Sequence, residues 1–198
     1  MDMPEAPATY ALIIANLIPS IYALSFDHSF ASSYAFNVGA VLRQKQHYRI
    51  FTSSFLHGDY FHLLFNMMTL LFFGPVVEQI LGTDGFLVVF FGAVMVSGIV
   101  AFYVNRKDLT YSSLGASDGV SAVVLAFCVF YPFEKIYFLF IPIGIPAILF
   151  GVLFIAISAG MMGREGNRVA HESHLAGALT GVVITLAMRP DVIGRLFS

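Results

Sequence analysis

Charge is scarce in this chain. Only 11% of its 198 residues are Asp, Glu, Lys or Arg, less than half the roughly 25% of a soluble domain. Tryptophan is absent and cysteine occurs once, as Cys128. A lone cysteine excludes an internal disulfide and leaves the redox compartment unread. Without Trp, the nine tyrosines must supply any aromatic belt at a membrane surface. A net charge of -2 offers no basic field, so no nucleic-acid partner is expected. The first nine residues carry Asp2 and Glu5 but no Lys or Arg. A secretory signal begins with a basic stretch, so the first apolar block is expected to be a retained helix. No internal repeat or low-complexity tract is present, and residues 1–198 read as a single domain.

What is abundant is apolar: 58% of the residues are hydrophobic and the mean hydropathy is +0.83. The apolar residues come in six long blocks, at about residues 10–26, 60–81, 86–104, 115–131, 136–159 and 169–188. A spanning helix needs about 20 mostly apolar residues. The pattern therefore predicts an all-α membrane protein with six transmembrane helices, solvated by a lipid bilayer. Residues 27–59 are too long for a turn and too aromatic for a disordered linker. They are expected to form a folded loop packed at the membrane surface.

Polar side chains are costly in hydrocarbon and mark function or internal bonding. Here they gather on three blocks. The second carries His62, Asn66, Thr69 and Glu78; the fourth Ser117, Asp118 and Ser121; the sixth His171, Glu172, Ser173 and His174. Backbone must stay internally bonded in lipid, so these helices are expected to surround a wet cavity. His174, Gly177 and Gly181 lie at i, i+3 and i+7, on one helix face. Two glycines four apart allow a neighbouring backbone to come close. Ser117 and Ser121 offer a second small face, also four apart. Close packing of these faces would bring a serine nucleophile to a histidine base. A glycine pair can also serve packing alone. His62 and Asn66, at i and i+4, can donate to a developing oxyanion, or simply bond each other or backbone carbonyls. His57 precedes them.

Two features invite misreading. His171-Glu172-Ser173-His174 resembles a zinc-protease signature, but that signature spaces its histidines i, i+4, whereas here they are i, i+3. No metal and no cofactor are expected. Glu78, between Gly74-Pro75 and Gly82, is expected to be a structural carboxylate bonded to a loop.

These pieces, in this order, resemble the rhomboid family of intramembrane serine proteases over about residues 43–181. Tyr48-Arg49 lies in the long first loop, and His57, His62 and Asn66 follow as H-x(4)-H-x(3)-N. Then come Gly74, Glu78, Gly115-Ala116-Ser117, and H-x-x-G-x-x-x-G from His174. The resemblance implies six helices around a water-filled catalytic cavity, with a membrane-associated first loop. It implies a Ser117–His174 dyad, with the oxyanion held by His62, Asn66 and the Ser117 backbone N–H. Substrates would be transmembrane segments of other proteins, cut near helix-destabilising residues. Block five and residues 160–168 resemble the parts that gate substrate access and cap the site.

There are departures. Rhomboids usually have Gly after the nucleophile; here it is Asp118, which could repel the oxyanion, perturb His174 or point away. Ser121 stands where relatives often have Tyr beneath the histidine. His57, Ser121, His171 and Asp118 are expected to support the site, with His171 at the cavity mouth. Orientation is contested. With both ends cytoplasmic, as the resemblance implies, Lys135, Arg189 and Arg195 face inward while seven cations face outward, against the positive-inside rule. A bacterial inner membrane is the expected location. The competing classes are a non-catalytic relative that binds or escorts membrane proteins, and a transporter. A transporter would call for an internal repeat, which is missing.

Overall fold

The computed structural model describes residues 5–138, 141–161 and 171–196. The described chain is mostly helical. Helix α1 (Pro7–Ser25) is followed by α2 (His28–Tyr34), β1 (Phe36–Asn37), α3 (Val38–Gln44), α4 (Arg49–Thr52) and a 3-10 turn at Ser53–Phe55. Then come α5 (Tyr60–Asn105), β2 (Ser112–Ser113), α6 (Ser117–Phe130), β3 (Lys135–Phe138), β4 (Ile141–Pro146), α7 (Ala147–Met161) and α8 (His171–Met188). A 3-10 segment, Pro190–Leu196, follows α8.

The second and third apolar blocks are the two halves of α5. They are separated at Gly82, whose φ of 73° and ψ of 165° are not helical. Only glycine adopts that conformation without strain, so this residue divides one long apolar run into two rods. Pro19 and Pro75 lie inside helices, where each removes one backbone bond without ending the element. Capping is local elsewhere. Asp59 Oδ1 accepts the His62 N–H at 2.7 Å at the start of α5, and Asn37 Oδ1 accepts the Ala40 N–H at 2.8 Å at the start of α3. Both are side-chain acceptors for N–H groups that lack a carbonyl one turn earlier.

The loop of residues 27–59 is folded, as expected. Its strand β1 pairs antiparallel with β2, Phe36 opposite Ser113 and Asn37 opposite Ser112. Phe36, Val38 and Val41 bury a small core against Ala101 of α5. The loop is thereby clamped to the chain that leads into α6.

Two expectations are corrected. The fifth block is not one helix from residue 136. Its first part is a β3–β4 hairpin, with Lys135 opposite Pro146 and Ile136 opposite Ile145. In Ile141-Pro142-Ile143-Gly144-Ile145-Pro146 the prolines and glycine alternate with β-branched residues. Such a run cannot keep helical bonds but fits an edge strand. The fold is therefore not strictly all-α. Nor does the carboxylate of Glu78 bond a loop; its partners are helical. It accepts the N–H groups of Ala8 at 3.0 Å and Thr9 at 2.8 Å, and the Thr9 hydroxyl at 2.8 Å. Thr83, just past the Gly82 break, donates to it at 2.9 Å. Glu78 thus caps α1 from α5. An anionic acceptor is well placed at a helix N-terminus, where free N–H groups and the helix dipole point at it.

The main core is shared by α5, α6 and α8. Phe86, Val89, Phe90 and Ala93 pack against Val120, Ala122, Val123 and Ala178, with α1 and α7 on the flanks. Large apolar side chains also face outward: Phe26 is 79% exposed, Phe61 74%, Phe72 66% and Val183 64%. A surface this apolar is suited to lipid rather than water. By length and hydropathy, α1 and α5 are long and apolar enough to cross a membrane, whereas Ser117–Phe130 and Ala147–Gly160 are shorter apolar helices. The expected count of six spans is not established by this test. The expected cap at residues 160–168 lies, from residue 162 onward, outside the described residues.

Replacing Glu78 by Ala leaves the first N–H groups of α1 without an acceptor in a buried place. Charged hydrogen bonds are each worth about 1.5–3 kcal/mol. Glu78→Ala is expected to lower the thermal unfolding midpoint in detergent by about 5–10 °C, and an unchanged midpoint would show that the cap is unimportant.

Candidate active site

Ser117 is the first residue of α6. The backbone that delivers it is pinned by the loop before α5. Gly115 N–H donates to the Ser53 carbonyl at 3.0 Å, and Ala116 N–H points at His57 Nε2 at a long 3.5 Å. Gly115 has φ +137°, a value glycine tolerates and other residues do not. A Cβ there would lie 2.7 Å from His62 Cε1 and 2.9 Å from His62 Nε2, and 3.5 Å from Ser117 Oγ. The missing side chain is what lets the His62 ring lie against this turn, on the same side as the serine hydroxyl.

His174 sits in the first turn of α8. Its Nε2 is 2.6 Å from Ser117 Oγ, a short hydroxyl–imidazole hydrogen bond. The glycine face supplies the approach. A Cβ on Gly177 would lie 2.7 Å from the Asp118 carbonyl oxygen, and one on Gly181 would lie 2.6 Å from Ala122 Cα. Real Cβ atoms do not come that close, so α6 and α8 touch backbone to backbone. The nearest partners of the glycines are Asp118 and Ala122, one residue beyond the expected Ser117 and Ser121. The serine side chain spans the gap while the next residue's backbone makes the contact.

Asp118 does not point away. Its Oδ1 lies 3.8 Å from His174 Nε2 and accepts the Ser173 hydroxyl at 3.2 Å. His57 is buried at the other side of the turn. Ser20 Oγ of α1 donates to the Phe55 carbonyl at 3.0 Å, which leaves the same oxygen to accept His57 Nδ1–H at 2.9 Å. Nε2 is then the bare acceptor facing Ala116 N–H. These bonds select one neutral tautomer. Burial, reinforced by neighbouring His62, pushes the His57 pKa down to about 3 from the usual 6.5. The His57 and His62 rings meet edge to face at 4.9 Å.

Asn66 spends one N–H on the His62 carbonyl at 2.9 Å; an amide nitrogen has a second to give. This is the backbone-carbonyl alternative left open by the sequence, realised for one of its two donors. His171 opens α8 and has no hydrogen-bond partner for Nε2 among the described residues. Glu172 Oε1 accepts Asn105 Nδ2 at 3.2 Å, which ties α8 to the end of α5. Ser121 is half-buried on α6. Among the described residues no group of three or more His, Cys, Asp or Glu could hold a metal ion. Sequence reasoning missed Ser20 and the anchoring role of Ser173, because neither lies within a motif and their partners are remote in the chain or on another helix.

The rhomboid domain model matches residues 44–191. The chain belongs to the rhomboid family. It is 30% identical over 138 residues to the presenilin-associated rhomboid-like protein, mitochondrial, of Rattus norvegicus, covering 66% of this chain and 35% of that one. It is 37% identical over 73 residues to the putative rhomboid protease YdcA of Bacillus subtilis, covering 37% of this chain and 36% of that one. To rhomboid protein 1, mitochondrial, of Saccharomyces cerevisiae it is 25% identical over 137 residues, covering 68% and 40%. The chain spans little more than a third of the length of these relatives. This rhomboid is a membrane protein by family. The mitochondrial relatives do not support the expected bacterial location, and the membrane placement alone is retained.

Two predictions follow from this geometry. Gly181→Val would force α6 and α8 apart at Ala122; both the unfolding midpoint and any chemistry that needs the Ser117–His174 contact are expected to fall. A variant that keeps both would contradict backbone contact there. His57 gives a pH dependence. Its folded pKa is below the unfolded value, so the unfolded chain takes up the proton first as pH drops. The stability it contributes is whole above about pH 6.5 and is lost on acidification toward pH 3. Thermal unfolding in detergent between pH 7.5 and 4 is expected to show this decline, flattened in His57→Gln; identical slopes would refute the assignment.

Proposed function

We propose that this rhomboid is an intramembrane serine endopeptidase that hydrolyses peptide bonds in or near transmembrane segments of other membrane proteins. The observation that carries the reading is the 2.6 Å separation of Ser117 Oγ and His174 Nε2. Family membership and the putative protease among the relatives support the same reaction class. The polar groups gather on the first half of α5, on α6 and on α8, the arrangement that a water-filled cavity among membrane helices requires.

The chemistry runs through the dyad. Ser117 Oγ attacks the scissile carbonyl carbon as His174 Nε2 takes its proton. The carbonyl oxygen becomes an oxyanion. The backbone N–H of Ser117, at the head of α6, has no carbonyl one turn earlier and can donate to it. His62, beside the Gly115 turn, and the remaining N–H of Asn66 supply further donors, together worth several kcal/mol. The C–N bond then breaks, the leaving amine takes the proton from Nε2, and the acyl group stays on Ser117. Water, deprotonated by His174, hydrolyses that ester and restores the serine. No carboxylate and no metal is required for these steps.

The test is cleavage of a reporter transmembrane segment by the purified protein in detergent. Ser117→Ala and His174→Ala are each expected to reduce it by roughly 10³-fold or more, while a chelator leaves it unchanged. Cleavage retained in Ser117→Ala would overturn the proposal. A folded wild type that binds but never cuts membrane segments would instead fit a non-catalytic relative that escorts membrane proteins.

A further inference from the structure

We propose that Asp118 is a positioning residue for His174, its carboxylate holding the protonated imidazole between the two proton transfers and setting the lower pH limit of the reaction. This rests on the Ser117–His174 reading and deepens it.

The placement is specific. Asp118 Oδ1 lies 3.8 Å from Nε2 of His174, the nitrogen that faces Ser117, and not from a remote part of the ring. Helix α8 fixes the aspartate twice over. Ser173, the residue before the base, donates to the same carboxylate oxygen at 3.2 Å. Gly177, one turn after the base, lies against the Asp118 backbone so closely that its own Cβ would be 2.7 Å from the carbonyl oxygen. The base and this carboxylate are therefore held side by side by the same helix contact. Two features make a carboxylate tolerable here: the hydroxyl donor, and a position in the first turn of α6, where the helix dipole favours an anion.

Position decides the role. In the serine-protease triad the carboxylate binds the histidine nitrogen remote from the serine and orients the ring. Asp118 is on the serine side and does not select the tautomer. While His174 is neutral, Nε2 accepts the Ser117 hydroxyl at 2.6 Å, and the aspartate, farther off, does not displace it. Once Nε2 has taken the proton, Ser117 Oγ is an ester oxygen and a weak acceptor. The nearby carboxylate then stabilises the imidazolium until the leaving nitrogen takes the proton. An opposite charge at this range raises the affinity of the imidazole for a proton. At low pH the same attraction keeps His174 protonated before any substrate arrives, and the base is lost. Among the described residues the other ionisable groups facing the pair are His62 on α5, His171 and Glu172 on α8, and Tyr111 before α6. All of them are unchanged when only Asp118 is altered.

The test is Asp118→Asn, which keeps the shape and the acceptor for Ser173 and removes the charge. The pH profile of reporter cleavage is measured beside the pH profile of Ser117 labelling by a fluorophosphonate. The acid limb is expected to move down by about one pH unit. The plateau kcat should fall about tenfold, with KM within about twofold. Asp118→Glu should recover part of the shift. Asp118→Gly, lacking the carboxylate altogether, should shift the limb as Asn does, and it serves if the Asn variant folds poorly. An acid limb unmoved in the charge-removing variants, with Ser117 still labelled, overturns the assignment of Asp118 alone. A folded wild type that neither cleaves the reporter nor labels at Ser117 overturns the dyad reading and this inference with it.

Discussion

Helices α6 and α8 meet where α8 can carry no Cβ. Gly177 and Gly181 face the backbone at Asp118 and Ala122 at distances of 2.6–2.7 Å from an imagined methyl carbon. Everything proposed about the site depends on that closeness. A serine side chain is short, and an imidazole three residues before Gly177 can reach it only if the two backbones touch. In hydrocarbon there is little hydrophobic drive between helices, so such contacts rest on van der Waals packing and polar bonds. The core of α5, α6 and α8 supplies the packing, with Phe86, Val89 and Phe90 wholly buried.

Polar bonds supply the rest, and each solves a specific problem of an apolar surrounding. Glu78 satisfies the head of α1 and is held in turn by Thr83 beyond the Gly82 break. Ser20, Phe55 and His57 form a chain of bonds from α1 to the backbone before Ser117. A neutral His57 can end that chain as an acceptor; a protonated one cannot, so burial and this contact demand the same charge state. Arg49 serves the first loop alike, donating to the carbonyls of Ser32 at 2.7 Å and Ala35 at 3.0 Å. That cation is engaged inside a folded loop, where it counts for little in a charge-based reading of orientation.

Much of this was legible in the sequence, where its signal was local or periodic. The i, i+3, i+7 spacing of His174, Gly177 and Gly181 put base and glycines on one face, and the helix bears that out. The apolar blocks marked α1, both halves of α5, α6 and α8. The β3–β4 hairpin was hidden because a short apolar run suits strand and helix equally until the prolines are weighed. The partners of Glu78 and His57 could not be read, because Thr9 and Ser20 are ordinary helix residues brought close only by tertiary packing. Asp118 was open three ways, since a side chain one residue past the nucleophile can turn several ways. Its bond to Ser173, on a different helix, excludes the reading in which it points away.

The central claim is that helix packing makes Ser117 the one activated serine of this rhomboid. Mass-spectrometric mapping of a fluorophosphonate adduct on the folded protein tests it most directly, with every serine in competition. A single adduct on Ser117, abolished in His174→Ala, is the predicted result. An adduct on another serine, or one on Ser117 that survives loss of His174, would contradict it.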